Sequence, residues 1–165
     1  MKCCILTGHR HLPRDSSAIR LLLRHVLIRF IEQEDYTDFL CGGAMGFDLL
    51  AADTVLELKE LYPHIRLRLF LPFRKQAASY PLSEQRHYES VLARADTICY
   101  TAEHHYTGCY LARDRAMASA AQGCICYLSH STGGTAYTVR QAALLDIPIV
   151  NLAELLDSAG KESYV

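Results

Sequence analysis

Residues 40–53, LCGGAMGFDLLAAD, decide how this chain is read. An apolar run ends in Gly42 and Gly43, and Gly46 and then Asp48 follow. Apolar residues next recur at helical spacing, so the stretch is a strand that bends through glycines into a helix. Gly42 and Gly43 let the backbone turn sharply and leave its N–H groups uncovered. A helix starting near Gly46 adds free N–H groups and a positive dipole end. Together these suit an anion such as phosphate. Asp48 would repel a phosphate if it pointed inward, so it either accepts from a ribose hydroxyl or steadies the helix start.

The same alternation runs outward in both directions. CCILT at 3–7 is a buried strand closed by Gly8. Asp15, Ser16 and Ser17 are helix-start residues. After them Ile19, Leu22, Leu23, Val26, Leu27 and Phe30 form one apolar helical face. Strands are expected at 38–41, 65–72, 96–101, 123–129 and 147–152. The spacing predicts helices at about 16–31, 46–61, 81–95, 110–122 and 135–145, and a tail at 153–165 that begins helix-like and ends polar. Short continuous apolar strands alternating with helices mean a sheet covered on both faces. The fold class is α/β, a Rossmann-like three-layer fold with a mainly parallel sheet of about six strands, in a single domain whose core spans about 3–152.

Composition narrows the classes. The chain has 165 residues, is half hydrophobic and carries a net charge of −1. Near-neutrality argues against bulk attraction to nucleic acid or to an anionic membrane. No apolar run reaches the ~18–20 residues of a spanning helix, so no membrane partner is expected. The opening MKCCILTGHR has no signal-peptide pattern. Seven cysteines, without a CxxC pair and mostly inside apolar runs, fit buried thiols in a reducing compartment. The expected location is the cytoplasm. HRH at 9–11 and HH at 104–105 lack partners at metal-ligand spacing, so no metal and no resident cofactor are expected.

In open parallel sheets ligands bind beyond the carboxyl ends of the strands. The segments there are TGHRH with Gly8, His9 and Arg10, then GGAMGFD, then PFRKQ with Pro72. AEHHYTGCYLARDR follows with Tyr106, Arg113 and Arg115, then SHSTGGTAYT with Gly133, Gly134 and Thr135. GGTAYT repeats the glycine device at a second helix start, with Thr132 and Thr135 as hydroxyl donors. Two phosphate-friendly turns suggest a nucleotide-sized ligand. There is no GxxxxGK[ST], and no GxGxxG after the first strand, which argues against a P-loop ATPase and an ordinary dinucleotide dehydrogenase. Of Arg113 and Arg115, which diverge by about 160° on a helix, Arg113 is the expected phosphate clamp. Tyr100, Tyr106, Tyr110 and Tyr137 fall near this edge, and Tyr106 is the expected stacking residue.

TGHR, GGAMGFD, the PF at 72–73, YTGCYLARDRAM at 106–117 and GGTAYTV at 133–139 resemble, in order and spacing, the YpsA-like branch of the SLOG superfamily. That superfamily also holds the LOG phosphoribohydrolases and the DNA-processing protein DprA. The resemblance implies a Rossmann-like fold with a nucleotide or nucleotide-derived ligand over Gly42, Gly43, Gly46, Gly133 and Gly134. It departs from LOG enzymes where their PGGxGTxxE motif carries a catalytic Glu. Here STGGTAYTVR puts Thr132 in place of the proline and Arg140 near the expected acid. Asp114 stands where the YpsA-like pattern has Asn. These departures favour a ligand sensor or regulator. A nucleotide-derivative hydrolase is the second reading, with Asp48, Asp114 and Glu84 as candidate acids and His9 or Arg10 assisting. Single-stranded DNA binding is the third, weakened by the near-neutral charge and the lack of a basic, aromatic-interleaved stripe. A homodimer is expected through the helices at 16–31 or 110–122.

Overall fold

The computed structural model describes residues 1–162 and shows a six-stranded, all-parallel sheet with helices on both faces. In chain order the elements are β1 (Cys3–Gly8), α1 (Ser17–Glu34), β2 (Asp38–Cys41), α2 (Phe47–Leu58) and β3 (Arg66–Leu71). A 3-10 turn (Gln76–Ser79) precedes α3 (Leu82–Arg94), β4 (Thr97–Tyr100) and α4 (Cys109–Ala120). The chain continues through β5 (Gly123–Tyr127), α5 (Gly134–Leu144), β6 (Ile149–Asn151) and α6 (Leu152–Glu162). The sheet order is β4-β3-β2-β1-β5-β6. The chain winds one way from β1 to β4, then crosses back to place β5 on the other side of β1. The crevice between β1 and β5 is therefore the topological switch point of the sheet.

Alternation along the strands divides the core into two. Cys4 and Leu6 of β1, Phe39 and Cys41 of β2 and Leu67, Leu69 and Leu71 of β3 pack with α1, α2 and α3. Cys3 and Ile5, Leu40, Phe70, Cys124 and Cys126 face the other way and pack against α4 and α5. A side-chain period of two makes this division automatic. The apolar stripe of α1 is buried at Ile19, Leu23, Val26, Leu27 and Phe30, while Arg20 on its outer face pairs with Glu57 of α2.

Several boundaries move. α1 runs on to Glu34 and ends where Asp35 takes a left-handed conformation at φ 59°. α2 stops at Leu58, short of the expected 61. β4 and β6 are shorter than their apolar runs, and β4 is exposed at Thr97, Ile98 and Cys99 because it is a sheet edge with one neighbour. Cys99 is accordingly the exposed cysteine among otherwise buried thiols. The tail is α6 through Glu162, and the last residues of the chain lie outside the described ones. No helix among the described residues is long and apolar enough to cross a membrane.

Candidate functional site

A cleft of about 440 Å³ opens at the carboxyl edge of the sheet, over the switch point between β1 and β5. This is within the ~300–1,000 Å³ range of small-molecule sites. β1 delivers Thr7 and Gly8, followed by His9 and Arg10. β2 is followed by Gly42, and the first turn of α2 carries Asp48. α4 contributes Tyr110, Arg113, Asp114 and Met117 from one face, at i, i+3, i+4 and i+7. The turn into α5 supplies Thr132, Gly133, Gly134 and Thr135, and Thr138 follows one turn later.

The electrostatic centre is a buried carboxylate–guanidinium–carboxylate group. Arg113 is 7% exposed. It donates from Nε to Asp114 Oδ1 at 2.7 Å and from Nη1 to the carbonyls of Gly42 at 2.6 Å and Phe70 at 3.3 Å. Gly42 leaves room for this, since a Cβ there would lie 2.6 Å from Arg113 Nη1 and 2.9 Å from Asp48 Oδ2. Asp48 Oδ2 accepts the Ala44 N–H at 3.3 Å, so the carboxylate steadies the glycine bend and still lines the cleft. Burial pushes the Asp48 carboxyl up to about 6, with Asp114 adding to the rise and Arg113 and the amides of Ala44 and Gly8 opposing it. Burial raises Asp114 as well, against the pull of Arg113. Arg113 therefore braces the ends of β2 and β3 and neutralises two carboxylates, rather than standing free as a phosphate clamp.

The other wall rests on His9, which is 8% exposed. Its Nε2 accepts the Ser129 N–H at 2.9 Å, which puts the ring proton on Nδ1. Its ring stacks on His130 with centroids 3.7 Å apart and planes 6° from parallel. His130 Nδ1 is 3.2 Å from Thr132 Oγ1. Burial, and then the neighbouring His130, lower the His9 pKa. This chain of contacts holds the loop that leads into Gly133 and Gly134. Gly133 adopts φ +93°, and a Cβ on either glycine would meet nothing within 4 Å. No side chain caps α5. Its first-turn amides have no intrahelical partner, and the residues that carry them, Gly134 and Thr135, line the cleft.

Gly8, His9, Arg10, Gly42, Asp48, Arg113, Asp114, Gly133, Gly134 and Thr135 come together in this cleft. Other expected residues do not line it. Gly43, at φ +72°, is packed against Leu71 and Tyr88. Gly46, at φ +78°, lets α2 approach the loop after β1: a Cβ there would collide with the Arg10 carbonyl, and Phe47 N–H bonds to the His9 carbonyl at 3.2 Å. That close approach occupies the start of α2, whereas a Cβ at Gly133 or Gly134, at the start of α5, would meet nothing within 4 Å. Pro72 is buried at the end of β3, where its carbonyl lies 3.4 Å from Thr101 Oγ1. Tyr106 is 47% exposed on the loop before α4. Arg115 points outward to the Tyr137 hydroxyl at 3.0 Å. Glu84 sits in a separate hollow beside His87, whose Nε2 meets Asp53 Oδ2 at 2.6 Å. His130 and Thr138 escaped the sequence reading. His130 lies in the SHSTGG segment that follows β5, so the strand-edge rule reached its neighbours and could have reached it.

The YspA SLOG family model matches residues 9–146 of this chain. A UPF0398 protein of Brevibacillus brevis is 34% identical over 92 residues, covering 56% of this chain and 48% of the relative. The UPF0398 protein YpsA of Bacillus subtilis is 30% identical over 104 residues, covering 58% of this chain and 57% of the relative. A UPF0398 protein of Oceanobacillus iheyensis is 27% identical over 164 residues, covering 92% and 89%. The match thus spans about half the length of the first two relatives and most of the third. Among solved structures, DNA processing protein A from Helicobacter pylori superposes with a TM-score of 0.64 at 19% identity, over 96% of this chain and 73% of that one. DNA processing protein A from Streptococcus pneumoniae gives 0.61 at 14%, over 90% and 49%. At these identities the likeness is one of fold. The family match runs from His9 at the cleft to Asp146 beyond α5, and this chain belongs to the YspA SLOG family, a YpsA-like member of the SLOG superfamily.

Proposed function

We propose that the protein binds a nucleotide or nucleotide derivative in the cleft over β1 and β5 and acts as a ligand sensor or regulator. The uncapped start of α5 carries this reading: Gly133 and Gly134 line the cleft there, and a Cβ on either would meet nothing within 4 Å. Free first-turn amides and the helix dipole suit a phosphate. Asp48 and Asp114, which line the same cleft, offer acceptors to sugar hydroxyls. A cytoplasmic location accords with the seven free cysteines. The reading includes a homodimer, for which Leu21 on α1 and Leu111 on α4, 71% and 41% exposed, offer apolar contacts. Sedimentation tests that part.

The test is a thermal-shift screen against nucleotides, sugar nucleotides, ADP-ribose and NAD, with Gly134→Asp as control. The control should fold, because position 134 has open space and an acid at a helix start is favourable. A ligand for the native state raises the melting temperature with the logarithm of its concentration over Kd. A hit lost in Gly134→Asp supports the reading, and silence across the panel overturns it.

One observation favours the hydrolase reading as second. Asp48, pushed up to about 6, is poised to hold or release a proton near neutrality. Incubating the hit and looking for product separates the two. Single-stranded DNA, named for the Helicobacter pylori protein, is the third occupant. Its binding would show affinity falling steeply with salt.

A further inference from the structure

The cleft has an aromatic wall whose orientation is fixed before any ligand arrives. Tyr110 is the second residue of α4, and its neighbour Cys109 is fully buried and anchors the helix start. The Tyr110 ring meets Phe73 at 6.0 Å between centroids and 82° between planes, and His105 at 6.2 Å and 61°. Phe73 and His105 meet one another at 5.4 Å and 87°. The three rings, from the loop after β3, the loop after β4 and α4, form a closed set of edge-to-face contacts of the kind aromatic pairs prefer. The Arg113 guanidinium lies 5.9 Å from the Tyr110 centroid. Of the three rings Tyr110 alone lines the cleft.

The other tyrosines at this edge are placed differently. Tyr106 and Tyr137 lie as described above, and Tyr100 lies under the Arg74 guanidinium at 4.4 Å. None of the three lines the cleft.

We infer that Tyr110, held by Phe73 and His105, is the stacking residue for the ligand's planar base, and that this base contributes to selection of the ligand. The inference rests on the nucleotide reading above and deepens it by dividing the cleft. The phosphate belongs at Gly133 and Gly134, the sugar hydroxyls at Asp48 and Asp114, and the base on Tyr110. A ring already held in place loses little conformational freedom on binding, and tyrosine stacking is indifferent to which base it meets. Ligands with a planar base should therefore bind better than the same phosphate and sugar without one.

The experiment is calorimetric titration with adenosine 5′-monophosphate, ADP-ribose and ribose 5-phosphate. The proteins are the unaltered chain, Tyr110→Phe, Tyr110→Ala and Gly134→Asp. Tyr110 is 37% exposed, so its substitution leaves the core intact. A base-bearing probe should bind at least about tenfold tighter than ribose 5-phosphate. Tyr110→Phe should retain that advantage. Tyr110→Ala should weaken the base-bearing probe by roughly 5- to 150-fold, the equivalent of one lost base–aromatic stack, and leave ribose 5-phosphate unchanged. Equal binding of probes with and without a base overturns the inference, as does an unchanged affinity in Tyr110→Ala. If Gly134→Asp still abolishes ribose 5-phosphate binding, the cleft reading survives that failure. Binding of none of the probes overturns both.

Discussion

His9 and His130 lie face to face, 3.7 Å apart and 6° from parallel, while His9 Nε2 accepts the backbone N–H of Ser129. One imidazole thus fixes two consecutive residues of the loop that presents Gly133 and Gly134. The Ser129 contact requires a neutral His9, and the stack requires that the two rings not both be charged. A protonated Nε2 is a donor and cannot accept from Ser129, and two stacked imidazolium ions repel.

The stability of the chain should therefore carry a His9 signature in its pH dependence. Burial and His130 lower the His9 pKa in the folded state, so below the ordinary value of about 6.5 the unfolded chain binds more protons. The stabilisation is complete above that pH and is lost as the pH falls through the folded value. His9→Gln, whose Oε1 can accept from Ser129 without titrating, removes the dependence. Urea unfolding between pH 7.5 and 5 should show a smaller loss for His9→Gln than for the unaltered chain. Parallel curves would mean that the His9 contacts do not depend on its charge.

Asp48 has the opposite sign. The residue is 6% exposed and its carboxyl is raised from 3.8 to about 6. Its contribution is greatest below the unfolded value and is lost as the pH rises through about 6. Asp48→Asn keeps the shape and an acceptor for Ala44 without the buried charge. At about 1.36 kcal/mol per pKa unit, the variant should gain roughly 1–3 kcal/mol at pH 8, and the gain should shrink by pH 5. A variant less stable at both pH values would show that Arg113 needs the second carboxylate.

The strand–helix alternation was legible because the strands are unbroken apolar runs and α1 keeps a strict apolar stripe. What each strand-edge residue faces was not. GGAMG and GG at 133–134 look alike in one dimension. The first accommodates Arg113 from α4 and the Arg10 carbonyl from the loop after β1, whereas the second faces open space. Those neighbours are distant in sequence, so no local pattern could distinguish a glycine needed for close approach from one kept clear for a ligand. Tyr106 and Tyr110 likewise share one segment. Only the start of α4 at Cys109 turns Tyr110 to the cleft and leaves Tyr106 outside.

The two kinds of glycine can be told apart by one methyl group. Gly46→Ala forces a side chain to φ +78° and drives its Cβ into the Arg10 carbonyl, part of a backbone that cannot move aside. Positive-φ strain and a main-chain clash together should cost about 3 kcal/mol or more. Gly134→Ala has open space and sits at a helix start, so its stability should stay within about 0.5 kcal/mol of the unaltered chain. Thermal melts of the two variants side by side check this. Equal losses would contradict the packing around Gly46.

Arg113 and Arg115, two residues apart, should differ in the same way. Arg115→Ala removes an exposed donor to the Tyr137 hydroxyl and should change stability by less than about 0.5 kcal/mol. Arg113→Met keeps the apolar stem but takes the positive charge from between two buried carboxylates and frees the Gly42 carbonyl. Breaking a buried pair from one side typically costs about 3–5 kcal/mol, because an uncompensated charge remains. The charge on Asp114, one of the two carboxylates left behind, can itself be removed. Asp114→Asn in the Arg113→Met background should recover a large part of the loss, while Asp114→Asn alone leaves Arg113 with Asp48 and the two carbonyls. Urea unfolding of the two single variants and the double variant closes a cycle whose coupling should exceed about 1 kcal/mol. Additive losses would mean that Arg113 acts through its carbonyl contacts at the ends of β2 and β3, with the Asp114 pair contributing nothing separable.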